Sequence, residues 1–263
     1  MTDWNADLYL KFAAERTRPA AELLARVPLE TVERALDLGC GPGNSTELIV
    51  RRFPGASVEG IDTSPAMLGK ARARLPQVRF TQSDVAGFRA EPPASLIFAN
   101  AVLQWVPDHE ALFPQLMEGL VPGGVLAVQM PDNLDEPSHR LMREEAAQPD
   151  FAERIGDVRG TRAEILSVQD YYDILAPHGA AIDIWRTTYV HVMDDASAIV
   201  DWLSASGLKP FLDPLDVDER AAFLEAYTDR VTEAYPRRID GKVVLPFPRL
   251  FIVATKGAAG GSS

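Results

Sequence analysis

The chain has 263 residues, 46% of them apolar, and carries a formal net charge of −12. That length allows one α/β domain with insertions, or a domain plus a lid, around a substantial core. An acidic balance turns attraction to phosphates into repulsion, which excludes broad binding to nucleic acid or anionic membrane but not a small anion in a pocket whose local field opposes the net charge.

No run reaches the ~18 uninterrupted apolar residues of a membrane span, and Met1–Asp7 lacks the basic and apolar regions of a signal peptide. A cytoplasmic protein is therefore expected. The single cysteine, Cys40, leaves no internal disulfide framework and no multi-cysteine zinc site.

The opening segment combines Trp4, Tyr9, Phe12, Arg16 and Arg18 with little periodicity, and Pro19 then suits the first position of an amphipathic helix running to about Val27. A strand from Arg34 to Leu38 leads into Gly39, Gly41 and Gly43, and a helix follows from Asn44 to Phe53. Glycines at every second position let the backbone turn tightly and approach a ligand closely. Asn44 is placed to cap that helix, with Glu47 reaching back as in a capping box.

A second strand, Ser57 to Ile61, ends at Asp62, and Thr63-Ser64-Pro65 opens a helix through Leu75. A third, Val78 to Thr81, ends at Gln82-Ser83-Asp84; a fourth, Ala94 to Ala99, ends at Asn100 and leads into Val102–Asp108. Asp108 can cap the next helix, in which Pro114 predicts a kink or a late start. Gly123-Gly124 makes a turn into a fifth strand, Val125 to Gln129.

The strand rhythm is then lost from Pro131 to Ser167, where a helical stretch from Ser138 to Ala147 precedes the basic positions Arg154, Arg159 and Arg162. Further helices are expected over Asp170–Ala176, Ser197–Ser206 and Asp218–Tyr235, and further strands over Ala181–Val190 and Arg249–Val253. No internal repeat is visible. Strands alternating with helices imply a doubly wound, mostly parallel α/β sheet of seven strands, with ligands bound beyond the carboxyl ends of the strands. The expected organisation is a single domain over 1–257, with an N-terminal lid (1–30), helical cap insertions at about 131–168 and 194–240, and a disordered tail (258–263).

Two nucleotide-type cofactors fit a strand, a glycine loop and a helix with an acidic residue ending the next strand. A dinucleotide site needs a further glycine three residues after the second. Counted from Gly39 that position is Asn44, and counted from Gly41 it is Thr46, so the pattern of an NAD-dependent oxidoreductase fails in both frames. Cys40 has no base beside it in the loop and reads as a packing residue. Asp37 has the alternative role of capping the loop. His109, His139, His178 and His191 lack metal-ligand spacing, so no metal is expected, and Trp185 and Tyr189 read as packing residues.

The form Asp37-x-Gly39-x-Gly41-x-Gly43, with Asp62, Asp84 and Asn100–Trp105 at three more strand ends, resembles the class I S-adenosylmethionine-dependent methyltransferases over residues 35 to about 130. The resemblance implies a cofactor seat at Asp37, Gly39, Gly41, Gly43, Asp62, Met67, Asp84, Val85 and Asn100. Asp62 would take the ribose hydroxyls and Asp84 the adenine amino group.

Blocks across the rest of the chain resemble the trans-aconitate methyltransferase family. They are Trp4–Pro19, Asn100–Val106, Trp202–Leu212 and Tyr235–Phe251. The resemblance implies esterification of a small anionic polycarboxylate, giving S-adenosylhomocysteine as the second product. A carboxylate is already ionised near neutral pH, so no catalytic base is required. Tyr9, Gln104 and Trp105 would position the reactants, and Arg16, Arg18, Lys209 and Arg249 are the candidate clamps for substrate. Rival readings are a same-fold enzyme with another carboxylate or hydroxyl acceptor, an NAD-dependent oxidoreductase, and a non-catalytic module.

Overall fold

A computed structural model describes residues 13–157, 162, 164–204 and 207–258. Trp4, Tyr9, Phe12, Arg159 and most of the expected tail lie outside these residues, and the side chain of Arg16 lies outside them too.

Seven strands form one sheet in the order β3-β2-β1-β4-β5-β7-β6. They are β1 (Arg34–Leu38), β2 (Ser57–Asp62), β3 (Arg79–Gln82), β4 (Ala94–Asn100), β5 (Leu120–Pro131), β6 (Gly179–Met193) and β7 (Val243–Lys256). β1 pairs in parallel with both β2 and β4, and the β2–β3 and β4–β5 pairs are also parallel. Chain order reverses between β1 and β4, which creates a crevice beyond the carboxyl ends of those two strands.

The chain divides into two compact units. One comprises Ala13–Met130, Glu164–Arg186 and the end of the chain from Leu250. Its helices are α1 (Ala13–Arg26), α2 (Asn44–Arg52), α3 (Pro65–Arg74), α4 (His109–Glu118) and α7 (Val168–Leu175). Its strands read as near-continuous apolar runs because they are covered on both faces: Leu36, Leu38, Ile97, Leu126 and Ile252 are all buried in one cluster. Trp185 stacks on Phe251 with ring centroids 4.9 Å apart, and the Arg26 guanidinium lies over the same indole.

The other unit takes in the chain from Pro131 to Ala163 and from Thr187 to Arg249. It contains α5 (Pro137–Ala146), α6 (Pro149–Ile155), α8 (Ala196–Ser204), α9 (Lys209–Leu212) and α10 (Val217–Ala234). Buried hydroxyls tie α5 to α10: Tyr227 donates to the Ser138 carbonyl at 2.8 Å, and the Ser138 N–H donates to Tyr235 Oη at 3.0 Å. Trp202 packs edge-on to Phe247, and Tyr189 is buried with the Arg249 guanidinium over its ring.

Several local expectations are corrected. The first helix begins at Ala13, so Pro19 lies inside it rather than at its start; the lost N–H bond is offset by an apolar face, Ala20, Leu23, Leu24 and Val27, that is buried. Pro114 is likewise inside α4, which starts directly after Asp108, whose carboxylate accepts from the Ala111 N–H at 3.2 Å as expected. β6 and β7 run several residues beyond the expected spans at both ends. β5 begins at Leu120, before the glycine pair, and the register slips between Ala94–Leu120 and Leu96–Val125. Gly123-Gly124 therefore makes its turn as an irregularity within the strand.

Candidate functional site

The carboxyl ends of β1, β2 and β4 converge on the glycine loop. Gly39, Gly41 and Gly43 all have positive φ, at 66°, 54° and 88°. At Gly39 a Cβ would stand 2.4 Å from Val102, so the loop after β4 is packed directly onto the loop after β1. At Gly41 a Cβ would meet nothing within 4 Å. Only the first of these glycines is required by protein packing; the second leaves bare backbone facing open space, as close approach to a ligand requires.

Asp37 is fully buried at the end of β1. Its Oδ2 accepts from the hydroxyls of Ser45 and Thr46, at 2.7 and 2.6 Å, which ties the strand end to the first turn of α2. Its Oδ1 is buried without a hydrogen-bond partner among the described residues. Burial is the main reason its carboxyl is pushed up to about 7, with the Asp62 charge adding to the rise and the two hydroxyls opposing it.

Both expected roles of the loop's flanking residues change. Asn44 does not cap α2: the cap is Gly43, without a side-chain bond, and Asn44 Nδ2 donates instead to Thr17 Oγ1 at 3.2 Å. Glu47 turns outward to Arg51 and Arg74. The left-handed Gly43 aims the chain so that the hydroxyls of Ser45 and Thr46, in the first turn of α2, both reach Asp37 on the preceding strand. Those two hydroxyls were the signal the local pattern concealed, because their partner is eight or nine residues upstream.

Asp62 binds the loop itself. Its Oδ2 accepts from the Gly41 N–H at 2.8 Å, and its Oδ1 accepts from the Ser64 N–H at 2.9 Å. A phosphate-binding loop aims such N–H groups at its ligand; here the one at Gly41 is spent on a carboxylate, and two aspartates border the loop. The arrangement disfavours pyrophosphate and suits groups that donate hydrogen bonds or carry positive charge. Asp84 lies just past β3 and accepts from the Ala86 N–H at 3.0 Å. Met67, at the start of α3, and Val85 are both buried. Cys40 is buried against Leu68, Ala71 and Phe80, and burial pushes its thiol up, as befits a packing residue.

Asn100 closes β4, and its Oδ1 is buried without a partner among the described residues. Ala101 then takes φ +55°, an uncommon conformation for a residue with a side chain. Two bonds hold it there: its N–H donates to the Gln129 carbonyl at 2.8 Å, and its carbonyl accepts from Gln104 Nε2 at 2.8 Å. Gln104 is buried and its Oε1 has no partner among the described residues.

The 3₁₀ turn Leu103–Trp105 is held from below by His109. Its Nε2 faces the Leu103 carbonyl at 2.9 Å and so must donate, which leaves Nδ1 to accept from the Tyr171 hydroxyl at 2.6 Å. The Leu166 N–H donates to that same hydroxyl at 3.3 Å. Tyr171→Phe is expected to lower stability by roughly 2–4 kcal/mol, because the buried His109 ring and the half-buried Leu166 N–H lose their partner at once. A urea midpoint lowered at unchanged slope is the check.

The candidate clamps fall on both units. Arg18, on α1, is exposed and donates to Glu22 at 2.7 Å. Lys209 is paired with Asp213 at 2.8 Å, and Arg249 is buried with its guanidinium over the Phe247 ring at 4.8 Å. Tyr9 lies outside the described residues. Among the described residues no group of three His, Cys, Asp or Glu side chains is arranged to hold a metal ion.

A family model described as a methyltransferase domain matches residues 12–209. A trans-aconitate 2-methyltransferase of Methylobacterium radiotolerans is 60% identical over 98% of this chain and 100% of its own length. A second from Methylobacterium nodulans is 58% identical over 97% of this chain and 99% of its own. Among solved structures, a phosphoethanolamine N-methyltransferase of Haemonchus contortus, in complex with phosphomonomethylethanolamine and S-adenosylhomocysteine, shares the fold at a TM-score of 0.55 and 18% identity, over 91% of this chain and 53% of that one. With its mostly parallel sheet, its aspartate-bordered glycine loop and relatives matched from end to end, the chain belongs to the methyltransferase family, among the trans-aconitate 2-methyltransferases.

Proposed function

We propose that the chain transfers the methyl group of S-adenosylmethionine to one carboxylate of trans-aconitate, or of a closely similar polycarboxylate, yielding the monomethyl ester. The observation that carries the acceptor is 60% identity to a relative of that name over 98% of the chain. The cofactor is supported separately by the site. Buried acceptor atoms of Asp37 and Asn100 stand without protein partners among the described residues, and a bare glycine backbone faces open space at Gly41. These fit a ligand that presents an ammonium, hydroxyls and an amino group, and no phosphate.

When bound, the cofactor supplies an electrophilic methyl on a sulfonium: a carboxylate oxygen forms the new C–O bond as the C–S bond breaks and its electron pair returns to sulfur. No proton moves, so the step needs neither a general acid nor a general base. Asp37 would receive the ammonium on Oδ1, Asp62 the ribose hydroxyls on its remaining lone pairs, and Asp84 the adenine amino group. Gly39, Gly41 and Gly43 shape the loop, with Met67 and Val85 as apolar walls. Asn100 would face the cofactor, and Gln104, Trp105 and Tyr9 would place the acceptor oxygen in line with the methyl, the step that carries the rate when neither acid nor base is required.

Arg16, Arg18, Lys209 and Arg249 are proposed to counter the acceptor's charge, and Arg18 and Lys209 would exchange their present carboxylate partners for it. The N-terminal segment and the insertions at about 131–168 and 194–240 would serve as a lid and cap that strip water from the oxygen. No described helix is long and apolar enough to cross a membrane; a cytoplasmic setting belongs to the same proposal.

Incubation with labelled S-adenosylmethionine and a panel of trans-aconitate, cis-aconitate, isocitrate and citrate, followed by mass spectrometry, tests the reading. A methyl ester formed fastest on trans-aconitate is expected. Methylation of none of the four, with S-adenosylhomocysteine still bound, would overturn the acceptor and keep the cofactor.

A further inference from the structure

The segment that follows β5 carries a cationic, underpartnered cluster, and all of it lies in the unit that contains α5 and α10. Arg162 Nη2 donates to the Pro131 carbonyl at 2.9 Å, and Arg143 Nη2 donates to the Leu134 carbonyl at 2.8 Å. The two guanidiniums thus bracket Asp132 and Asn133. Asn133 is 1% exposed, yet neither its Oδ1 nor its Nδ2 has a partner among the described residues. Arg162 Nε is in the same condition.

The charges of this cluster act on one another. Burial first, and then the Arg143 charge, push the Arg162 guanidinium down to about 10, against an opposing pull from Asp132. His139, fully enclosed on α5, is held well below the usual imidazole range by burial and by the charges of Arg162 and Arg143. Two guanidinium charges thus act on a neutral imidazole, and the Asp132 carboxylate pulls against them at Arg162. The amide N–H groups of Asn133 Nδ2 and the N–H of Arg162 Nε, unpartnered among the described residues, are buried donors, each costing free energy that an anion's lone pairs would recover.

We propose that Asn133, Arg143 and Arg162, all in one unit, form a seat for a carboxylate of a small polycarboxylate such as the acceptor. The inference rests on the polycarboxylate reading above and deepens it. An ionised carboxylate offers acceptor sites on both oxygens, matching the planar guanidinium fork and the amide N–H. The two guanidiniums are charges of the sign an anion needs, in a chain whose net charge is −12.

Asn133→Asp is the informative variant, because it removes no hydrogen bond made among the described residues and places a carboxylate where the ligand's would sit. Its KM for trans-aconitate is expected to rise at least about tenfold, the scale of one lost charge-assisted contact, while S-adenosylhomocysteine affinity stays within about twofold. Citrate should raise the thermal midpoint of the wild-type protein and fail to raise that of Asn133→Asp. Arg162→Lys keeps the charge but loses the fork, and should raise KM with a smaller loss of the citrate response.

Wild-type KM and a wild-type citrate response in either folded variant would overturn the seat, as would a lowered midpoint at unchanged KM, the signature of a purely structural role. If the wild-type enzyme methylates none of the tricarboxylates but citrate protects it in an Asn133-dependent way, the acceptor assignment fails and the seat stands.

Discussion

Gly39→Ala is expected to cost about 2–5 kcal/mol of stability and to abolish cofactor binding, whereas Gly41→Ala should leave most of the stability intact and still lose the cofactor. The two glycines share a left-handed backbone that costs an L-residue roughly 1–2 kcal/mol, and they differ in what a Cβ meets. At Gly39 it would stand 2.4 Å from Val102, a contact no real Cβ tolerates, so a further ~1–3 kcal/mol of overpacking is added. Against the typical ~5–15 kcal/mol of a folded domain, that is a large share.

At Gly41 the Cβ points into open space. The folded protein accepts it at about 1–2 kcal/mol, but the methyl then occupies the surface against which a ligand would lie, and S-adenosylhomocysteine affinity should fall roughly tenfold to a hundredfold. Thermal denaturation and calorimetric titration of both variants separate the effects. Wild-type affinity in a folded Gly41→Ala protein would remove the cofactor from this loop.

Asp37 should make both stability and cofactor affinity depend on pH, in opposite directions. Its carboxyl is raised from 3.8 to about 7 in the folded chain. Below pH 4 it is protonated in both states and costs nothing. Between pH 4 and 7 the unfolded chain ionises first, so the folded state loses up to about 4 kcal/mol relative to it, and above pH 7 the cost is constant. The unliganded protein should therefore weaken through this group as pH rises from 4 to 7.

Cofactor binding should strengthen through pH 7, because only the ionised carboxylate attracts an ammonium. Asp37→Asn preserves an oxygen for the Ser45 and Thr46 hydroxyls and removes the charge. It should flatten the stability profile and weaken S-adenosylhomocysteine by tenfold or more, the scale of one charge-assisted bond. A variant that binds as tightly as the wild type at pH 8 would refute the ammonium contact.

The alternation of apolar strands with amphipathic helices, and the placing of Asp37, Asp62, Asp84 and Asn100 at four strand ends, could be read directly from the chain. These are local signals: periods of 2 and 3.6 residues, and glycines where φ must be positive. The sheet follows from them, since a buried parallel strand advertises itself by an apolar run. Helix boundaries at Pro19 and Pro114 and the lengths of β6 and β7 did not follow, because an apolar face gained by packing outweighs a local breaker.

Side-chain partners were hidden more deeply. Asp37 was legible as an acid at the loop, but its pairing with Ser45 and Thr46, and the spending of Asp62 on the Gly41 N–H, depend on where the backbone turns. So does the support of the Leu103–Trp105 turn by His109 and Tyr171, 62 residues apart. Arg162 drew notice only as one basic position in an insertion, and nothing near it in the chain points to Arg143 or Asn133.

By itself the amino-acid sequence determined the sheet, the glycine loop and the kind of cofactor that loop can seat, because backbone conformation and burial are set by near neighbours. Only the tertiary structure decided which polar groups are already satisfied and which are left wanting a ligand. That distinction is a property of groups distant in sequence, brought together when the apolar surface is buried.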